Sequence, residues 1–580
     1  MSEFLIANMA PIIFASLVFF LLLGFPVAFA LAANGIIFGL IGMELGLFNP
    51  SFFQALPERI FGGIMQNDTL LAIPFFTFMG LILERSGMAE DLLETVGQLF
   101  GPVRGGLAYA VILVGAMLAA TTGVVAASVI SMGLISLPIM LRFGYDRRLA
   151  AGVIAASGTL AQIIPPSLVL IIIADQLGKS VGDMYKGAFV PGFVLTGLYM
   201  LYVLGCSIIK PEWAPALPPE ARKFREPSGK TGSTSLLILT VLSVAVAVGY
   251  AKFRLPADNP LDETIVVCML IGIGFAFVLA VANRVTKLGL FSAMAEKVTF
   301  VLIPPLALIF LVLGTIFLGI ATPTEGGAMG AAGAVIMALA RNRLSWSLLK
   351  QAMDSTAKLT TFVVFILVGA RVFSLTFYGV DGHRWVEHLL SDLPGGQVGF
   401  LIVVNLLIFF LAFFLDFFEL CFIVVPLLGP VADKLGIDLI WFGVLLAVNM
   451  QTSFMHPPFG FALFYLRSVA PTGRYKDHHT GKITEPVTTG QIYWGAIPFV
   501  AIQVIMVGLI IFFPEIVGRD TQQTQAQMDQ QGEMIDLQKM LQDDAAADTA
   551  REAAKVGAGG TAEDAGDAIT KAIREANQAK

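Results

Sequence analysis

Charged residues are scarce in this chain. Lys, Arg, Asp and Glu together make up 13% of its 580 residues, whereas soluble domains contain about 25%. The three cysteines include no CxxC pair, which predicts neither a disulfide framework nor a zinc site. The net charge of −6 is dominated by an acidic tail and argues against binding to nucleic acid.

Two motifs of nucleotide and metal chemistry are also absent. The sequence contains no GxxxxGK[ST] loop, which binds phosphates in many ATPases, and no HExxH motif, which binds zinc in metalloproteases. These absences argue against an ATP-driven pump and against a membrane-embedded zinc protease. We therefore expect neither enzymatic activity nor a cofactor.

Apolar residues, by contrast, are abundant. They make up 56% of the chain, and its mean hydropathy is +0.81. Because about 20 apolar residues cross the roughly 30 Å hydrocarbon core of a bilayer, the sequence predicts an all-α polytopic membrane protein. The predicted spans lie at 5–24, 26–42, 186–209, 234–251, 263–283, 298–320, 323–340, 357–379 and 489–514.

Two pairs of adjacent prolines interrupt apolar segments, and they reveal a duplication. Pro165-Pro166 and Pro457-Pro458 are 292 residues apart. The same offset places Gly87 on Gly379 and Pro138 on Pro430 without a gap. Corresponding Pro-interrupted segments in the two halves of a membrane protein are typical of secondary transporters, whose substrates and ions bind near the middle of the membrane.

Each repeat is predicted to contain a re-entrant helical hairpin followed by a broken helix. The first hairpin spans about 104–141 and the first broken helix about 148–175, and their counterparts span about 397–434 and 440–467. Two arms of about 17 residues are each marginal for a full crossing, which favours a hairpin that turns back inside the membrane. The fold expected is that of a secondary transporter built from two such repeats.

The charges near the two hairpin mouths predict that the repeats are inverted. The first mouth is basic, with Arg104, Arg142, Arg147 and Arg148. The second is mostly acidic, with Asp392, Asp433, Lys434 and Asp438. The positive-inside rule places the first mouth in the cytoplasm and the second outside. Threading the remaining spans leaves both termini outside.

The chain thereby divides into five segments. The first inverted repeat covers 1–209, connecting loops and two linking helices cover 210–297, and the second repeat covers 298–470. A loop and a final transmembrane helix occupy 471–514. Residues 515–580 are rich in Gln, Ala and charged residues and have too few apolar residues to form a core, so we expect a solvated, disordered tail.

The broken helices predict two cation sites. Proline removes a backbone donor and clashes with the carbonyl of residue i−4, so each pair frees carbonyl oxygens in mid-membrane. The first site is expected to combine the hairpin tip with the first break, through Thr121, Thr122, Gly123, Gly158, Thr159 and the carbonyl near Ile164. The second is expected to combine Asp416 with Gln451, Thr452 and Met455. An alternative is that Thr121, Thr122 and Ser128 bond to carbonyls of their own helices.

Arg371 is the leading candidate for binding an anion. It lies in the middle of an apolar span, at least nine residues from the nearest predicted membrane surface, and ionisable residues at such depth are usually functional. One candidate partner is a substrate carboxylate, bound through a bidentate fork. The alternative is a structural ion pair with Asp416 or Glu419.

Four further residues are candidates for substrate binding. Ser167 begins the half-helix that follows the first proline pair, and a helix N-terminus presents N–H groups to an anion. Thr322 and Glu325 open the helix after a span, where an N-cap is the alternative explanation. His456 precedes the second proline pair and either binds substrate or satisfies local backbone groups.

Several segments, in a fixed order, together resemble the large membrane subunit of tripartite ATP-independent periplasmic (TRAP) transporters. The resemblance covers about residues 5–514. It is carried by NDTLLAIPFFTFMGLILERSG, ATTGVVAAS, GTLAQIIPPSLVLIIIAD, GIATPTEGGAMGA and LGIDLIWFGVLLAVNMQTSFMHPPFG. The chain departs from the commonest pattern at His456, where many members have Thr, and at Thr122-Gly123-Val124, where a Ser-Gly-Ser type sequence is usual.

The resemblance implies a function and a set of partners. Members of the family are Na⁺-driven importers of small organic anions, generally carboxylates, in the inner membrane of bacteria. They require a small four-helix membrane subunit and a periplasmic binding protein, and we expect this chain to need a separate small subunit. The segment HPPFGFALFYLR resembles the mannitol or chloroaromatic subgroup, which includes importers of 2-oxo and 2-hydroxy acids.

An ion channel and a carrier that needs no binding protein are two other kinds of transport protein to compare with this sequence. An ion channel needs a continuous polar pore lining, whereas the polar residues here cluster at two symmetric breaks. A Na⁺- or H⁺-coupled organic anion carrier that works without a binding protein shares the inverted-hairpin design and is the main alternative. A neighbouring reading frame that encodes a secreted binding protein would separate the two.

The charge pattern generates a topology prediction. Protease added outside intact spheroplasts should remove the 515–580 tail and leave the spans up to Phe513 intact, because both termini are expected in the periplasm. Immunoblots against tags at residue 580 and in the basic loop 341–350 would measure this. Cleavage of the tail only after the membrane has been permeabilised would show that the assigned orientation is wrong.

Overall fold

The structure is a computed structural model that describes most of the first 518 residues. The described residues are 2–122, 125–222, 233–256, 261–286, 289, 291–391, 393–413, 415–477, 481 and 483–518. Except for residues 515–518, the predicted tail lies outside the described residues. Gly123 and the side chains of Thr121 and Thr122 lie outside them as well.

Eleven helices precede residue 210 in the described part of the chain. They are α1 Ser2–Ala7, α2 Met9–Leu22, α3 Val27–Glu44, α4 Leu56–Ile60, α5 Ala72–Arg85, α6 Met88–Phe100, α7 Gly106–Thr122, α8 Val125–Arg142, α9 Arg147–Thr159, α10 Leu168–Gln176 and α11 Val181–Ile209. The predicted first hairpin coincides with α7 and α8, and the predicted first broken helix with α9 and α10.

The remaining described helices follow a similar order. They are α12 Ser233–Arg254, α13 Leu261–Thr286, α14 Ala293–Phe317, α15 Pro323–Ala340, α16 Trp346–Gly379, α17 Gly382–Ser391, α18 Gly396–Leu411, α19 Phe417–Ile423, α20 Val425–Lys434, α21 Leu439–Met455, α22 Phe461–Val469 and α23 Thr489–Phe512. Two short antiparallel strands, β1 Tyr475–Lys476 and β2 Ile483–Thr484, lie between α22 and α23.

The helices confirm the predicted class of polytopic membrane protein. Among the described residues, eight helices are long and apolar enough to cross a bilayer, or up to ten segments if each of two bent helix pairs is one span. The inversion of the repeats and the re-entrant path of the hairpins stay predictions, because no membrane boundary is defined by the helices alone.

The core is built around the two broken helices. Every residue of α9 from Leu149 to Thr159 is buried, and so is every residue of α21 from Phe442 to Met455. The α10 helix is buried from Leu168 to Ala174. A helix that is buried on all sides must be surrounded by other helices, and here α7, α8, α11, α18 and α23 pack around this centre.

Glycines allow the closest helix crossing in this core. A Cβ atom at Gly152 of α9 would overlap the carbonyl oxygen of Gly495 of α23, and a Cβ at Gly495 would overlap the carbonyl oxygen of Arg148. Small residues at such crossings let helix backbones approach in membranes, where van der Waals packing drives association. The α3–α16 crossing uses Gly35 and Gly369 in the same way.

An ion pair ties the predicted first hairpin to the loop after the second broken helix. Arg142, the last residue of α8, lies 2.7 Å from the carboxylate of Asp477, whose side chain is 3% exposed. The residue that contributes to the basic first mouth therefore also anchors the β1–β2 segment. A second ion pair, between Lys434 and Glu387, joins α20 to α17.

The glycine crossing generates a stability prediction. Gly495→Ala should destabilise the protein by about 1–3 kcal/mol, because the added methyl group overpacks a backbone contact. Gly508→Ala, on the same helix, is the matched control because no atom lies within 4 Å of a Cβ placed there. Thermal unfolding in detergent should show a lower melting temperature only for Gly495→Ala, and equal melting temperatures would disprove the prediction.

Candidate functional site

The first break replaces a lost backbone hydrogen bond with a side chain. Pro166 has no N–H to donate to the carbonyl of Gln162, four residues earlier. The hydroxyl of Ser167 donates to that oxygen instead, at 2.7 Å. Among the described residues, the carbonyl of Ile164 accepts no hydrogen bond. The break therefore presents a carbonyl oxygen without a described donor near the place where the sequence predicts a cation.

The second break also separates two helices at a proline pair. The α21 helix ends at Met455, and α22 begins at Phe461 after Pro457-Pro458. The N–H of Gly460 donates to the carbonyl of His456 at 2.7 Å, which closes the turn. Both Pro–Pro peptide bonds are cis.

A hydrogen bond joins the two breaks. The amide nitrogen Nε2 of Gln451 donates to the hydroxyl Oγ1 of Thr159 at 3.2 Å, and both side chains are fully buried. These residues are 292 positions apart, which is the repeat offset read from the prolines. The structure thus brings together equivalent positions of the two repeats, one from each predicted cation site.

Two residues that the sequence analysis missed extend this contact. The hydroxyl of Tyr199 on α11 lies near Thr159, and Nε2 of Gln503 on α23 donates to the Tyr199 hydroxyl at 2.7 Å. All four side chains are fully buried. A lone Gln in the apolar run of α23 was the available sequence signal for Gln503.

Other parts of the predicted first site also lie close together. A Cβ atom at Gly158 would overlap the side chain of Val129 near the start of α8, so the first break packs directly against the second arm of the predicted hairpin. Gly115 of α7 packs as closely against Ser157. The missing Cβ at Gly158 is therefore required by packing, whether or not the residue also faces a cation.

The residues of the predicted second site have local hydrogen-bonding roles. Asp416 caps α19: its carboxylate accepts from the N–H of Phe417 at 2.7 Å, and Glu419 accepts from the N–H of Asp416 at 2.9 Å. Thr452 donates to the carbonyl of Asn449 in its own helix at 2.6 Å. Met455 is fully buried. A role for these residues in cation binding stays a prediction.

Arg371 forms no ion pair with any described carboxylate. Its guanidinium lies near Gly63, where an added Cβ atom would be 3.6 Å from both Nε and Cζ. The two carboxylates considered as partners, Asp416 and Glu419, bond to the first turn of α19 instead. The structural ion pair is therefore not formed in this structure, and binding of a substrate anion by Arg371 stays a prediction.

The other predicted substrate residues lie in three different places. Thr322 and Glu325 form a capping box at the start of α15, with Thr322 N–H donating to Glu325 at 2.8 Å. Ser167 is fully buried in the first break. The His456 ring lies among aromatic side chains, with ring centroids 5.1 Å from Phe409 and 4.6 Å from Phe413. Within the described part of the chain no hydrogen bond joins these three places, and a shared substrate site stays a prediction.

A cavity of about 430 Å³ lies beside the tip of the predicted second hairpin. Glu419 lines it, together with Leu415, the bend 24–29 between α2 and α3, and Phe362 and Phe365 of α16. Of the described residues that line the cavity, Glu419 is the charged one. The cavity therefore lies between the hairpin tip and the neighbouring helices, and its walls are mostly apolar.

Comparison with known families identifies the class of protein that carries this arrangement. The family model described as "Tripartite ATP-independent periplasmic transporter, DctM component" matches residues 14–516. The chain belongs to this family. The match confirms the resemblance drawn from the sequence motifs, and the chain is a large permease subunit of a TRAP transporter.

Curated relatives carry related names. The C4-dicarboxylate TRAP transporter large permease protein DctM of Pseudomonas aeruginosa is 26% identical over 433 residues, which cover 74% of this chain and 84% of the relative. The isethionate TRAP transporter permease protein DctMQ of Oleidesulfovibrio alaskensis is 23% identical over 79% of this chain and 60% of the relative. The sialic acid TRAP transporter permease protein SiaT of Haemophilus influenzae is 23% identical over 77% of this chain and 59% of the relative.

Among solved structures, the chain is similar to the Alcanivorax borkumensis YdaH transporter, whose crystal structure is described as having an unusual topology. The TM-score is 0.47 at 14% sequence identity, and the match covers 81% of this chain and 91% of the YdaH chain.

The surroundings of Arg371 generate a prediction for this TRAP permease. Arg371→Gln should accumulate to the wild-type level, because no described carboxylate loses an ion-pair partner. Transport at limiting substrate should fall roughly 10- to 100-fold, because a hydrogen bond to a charged group contributes about 1.5–3 kcal/mol. Arg371→Lys should recover only part of it, because lysine lacks the bidentate fork.

The matched control is Arg59→Gln. Arg59 is exposed and, like Arg371, lies close enough to Tyr378 to act on it electrostatically. Uptake as a function of substrate concentration and immunoblots of membrane fractions measure both variants. Wild-type uptake by Arg371→Gln would exclude the anion-binding role. Poor accumulation that a second change, Asp416→Asn or Glu419→Gln, restores would instead establish the structural ion pair.

Proposed function

We propose that this chain is the membrane-embedded transport subunit of a Na⁺-coupled importer of small organic acid anions. The observation that carries the proposal is the contact between the two Pro-Pro breaks, at Thr159 and Gln451, inside the buried core. Two helix breaks with hydroxyl, amide and free carbonyl oxygens, related by one sequence offset, are what a pair of mid-membrane cation sites requires. Na⁺ is a hard cation that such oxygens suit.

The nature of the cargo is inferred from chemistry and from the relatives. The relatives are named for C4-dicarboxylates, isethionate and sialic acid, all of which carry an acidic group. Arg371, half-buried within a long apolar helix and unpaired with any described carboxylate, is suited to bind such a group. We propose a carboxylate, in particular a 2-oxo or 2-hydroxy acid, on the basis of the segment HPPFGFALFYLR.

The proposed mechanism is alternating access by an elevator-type motion. The buried helices α9, α10 and α21, with α11 and α23, share one hydrogen-bonded and closely packed centre, which favours their movement as a rigid body. The periphery includes α12 and α13, which are mostly exposed. The partners proposed are a small four-helix membrane subunit and a periplasmic binding protein, and the location proposed is the bacterial inner membrane with both termini in the periplasm.

Reconstitution tests this proposal. Proteoliposomes that contain both membrane subunits, supplied with the binding protein, should take up a labelled carboxylate only with an inward Na⁺ gradient. The expected reason is that inward movement of Na⁺ supplies the free energy for uptake. ATP should have no effect. A panel of C4-dicarboxylates, 2-oxo acids and 2-hydroxy acids would identify the substrate class.

Two results would contradict the proposal in different ways. Undiminished uptake in Na⁺-free buffer with a proton gradient would exclude Na⁺ coupling. Full uptake without the binding protein would instead support the carrier that works alone. Replacement of Na⁺ by K⁺ at constant ionic strength is the control for general salt effects.

A further inference from the structure

The contact between Gln451 and Thr159 occupies a specific place in the proposed mechanism. Thr159 belongs to the predicted first cation site and Gln451 to the predicted second site. Nε2 of Gln451 donates to the Thr159 hydroxyl at 3.2 Å, and that hydroxyl donates to the carbonyl of Ala156 at 2.9 Å. Two hydrogen bonds in a row therefore link Gln451, in the helix that leads to the second break, through Thr159 to Ala156, in the helix that leads to the first break.

The opposite end of the Gln451 amide is free to bind a ligand. Among the described residues, the oxygen Oε1 of Gln451 is buried and has no hydrogen-bond partner. A buried polar atom without a partner costs about 1–3 kcal/mol, and such atoms in native proteins call for an explanation such as an ion. A cation bound to Oε1 would satisfy this oxygen and would hold the amide in the orientation that donates to Thr159.

The other residues of the predicted second site do not reach across in this way. The hydroxyl of Thr452 bonds to Asn449 within α21, and Asp416 caps α19. Met455 offers a thioether, which is a poor ligand for Na⁺. Among the described residues, Gln451 is the only member of the predicted second site that hydrogen-bonds to a residue of the predicted first site.

We infer that the Gln451–Thr159 hydrogen bond couples the two cation sites, so that occupation of one raises the affinity of the other. This inference rests on the proposed function. Gln451 acts on the first site as a positioning residue: an amide fixed by a cation fixes the Thr159 hydroxyl, and the first site then loses less conformational freedom when it binds its own cation. Such coupling is reciprocal between the two sites.

A double-mutant cycle on the Na⁺ dependence of uptake tests the coupling. Thr159→Val and Gln451→Met remove the two partners of the hydrogen bond with little change in side-chain size. Each single change alters the Na⁺ concentration for half-maximal uptake by some factor. If the sites are coupled, the factor for the double variant should be at least about threefold smaller than the product of the two single factors. The wild-type Hill coefficient should exceed 1 and should fall toward about 1 in Gln451→Met.

The matched control cycle pairs Thr159→Val with Thr452→Val. Thr452 belongs to the same predicted site as Gln451 but bonds within its own helix, so the two shifts should multiply. Thr159→Ser, which keeps the hydroxyl, should retain the wild-type Hill coefficient. This rescue separates coupling from a general loss of stability, since a purely structural defect would lower maximal uptake without changing cooperativity.

The possible outcomes separate the inference from the proposed function. Wild-type uptake that is independent of Na⁺ would overturn the proposed function itself. Na⁺-dependent uptake in which the Thr159 and Gln451 shifts multiply as in the control cycle, or in which wild-type dependence is hyperbolic, would overturn only the coupling. If Gln451→Met fails to accumulate, Gln451→Asn replaces it, because this shorter amide keeps its polarity but cannot reach Thr159.

Discussion

The fold depends on the need to satisfy backbone hydrogen bonds where water is absent. Each proline pair removes donors from a helix in the buried core, and unsatisfied polar groups in hydrocarbon are costly. At the first break the Ser167 hydroxyl supplies a replacement donor, whereas the Gly460 N–H at the second break makes an ordinary i→i−4 backbone bond to His456 that closes the turn. The carbonyl of Ile164 has no described donor, and this is the kind of oxygen that a cation would complete.

Close packing and buried polar contacts act together in the core. The glycine crossing of α9 and α23 brings the backbones close together, and two buried hydrogen bonds join α21 to α9 through Gln451 and Thr159, and α23 to α11 through Gln503 and Tyr199. Buried polar networks are stabilising only when their members are satisfied. The unpartnered amide oxygens of Gln451 and Gln503 are therefore the points at which this network is incomplete in the described structure.

Several residues chosen from the sequence for binding have a structural role as well. Asp416 with Glu419, and Thr322 with Glu325, form capping boxes, and Thr452 bonds to its own helix. An N-cap was the stated alternative for Thr322 and Glu325 but not for Asp416, although an N-cap and a ligand draw on the same polar residue types at the ends of helices. Local hydrogen bonds do not exclude a second role, since a carboxylate can accept several bonds at once.

The sequence by itself determined the membrane class, the helix breaks and the duplication. Hydropathy and the chemistry of proline act within a few residues, and the offset of 292 can be read without coordinates. Only the tertiary structure decided which equivalent positions touch, that Gln503 bonds to Tyr199 beside them, and that Arg371 lies near Gly63 without a described carboxylate partner. Those contacts depend on how helices far apart in the chain are rotated and placed against one another, and no local pattern specifies that geometry.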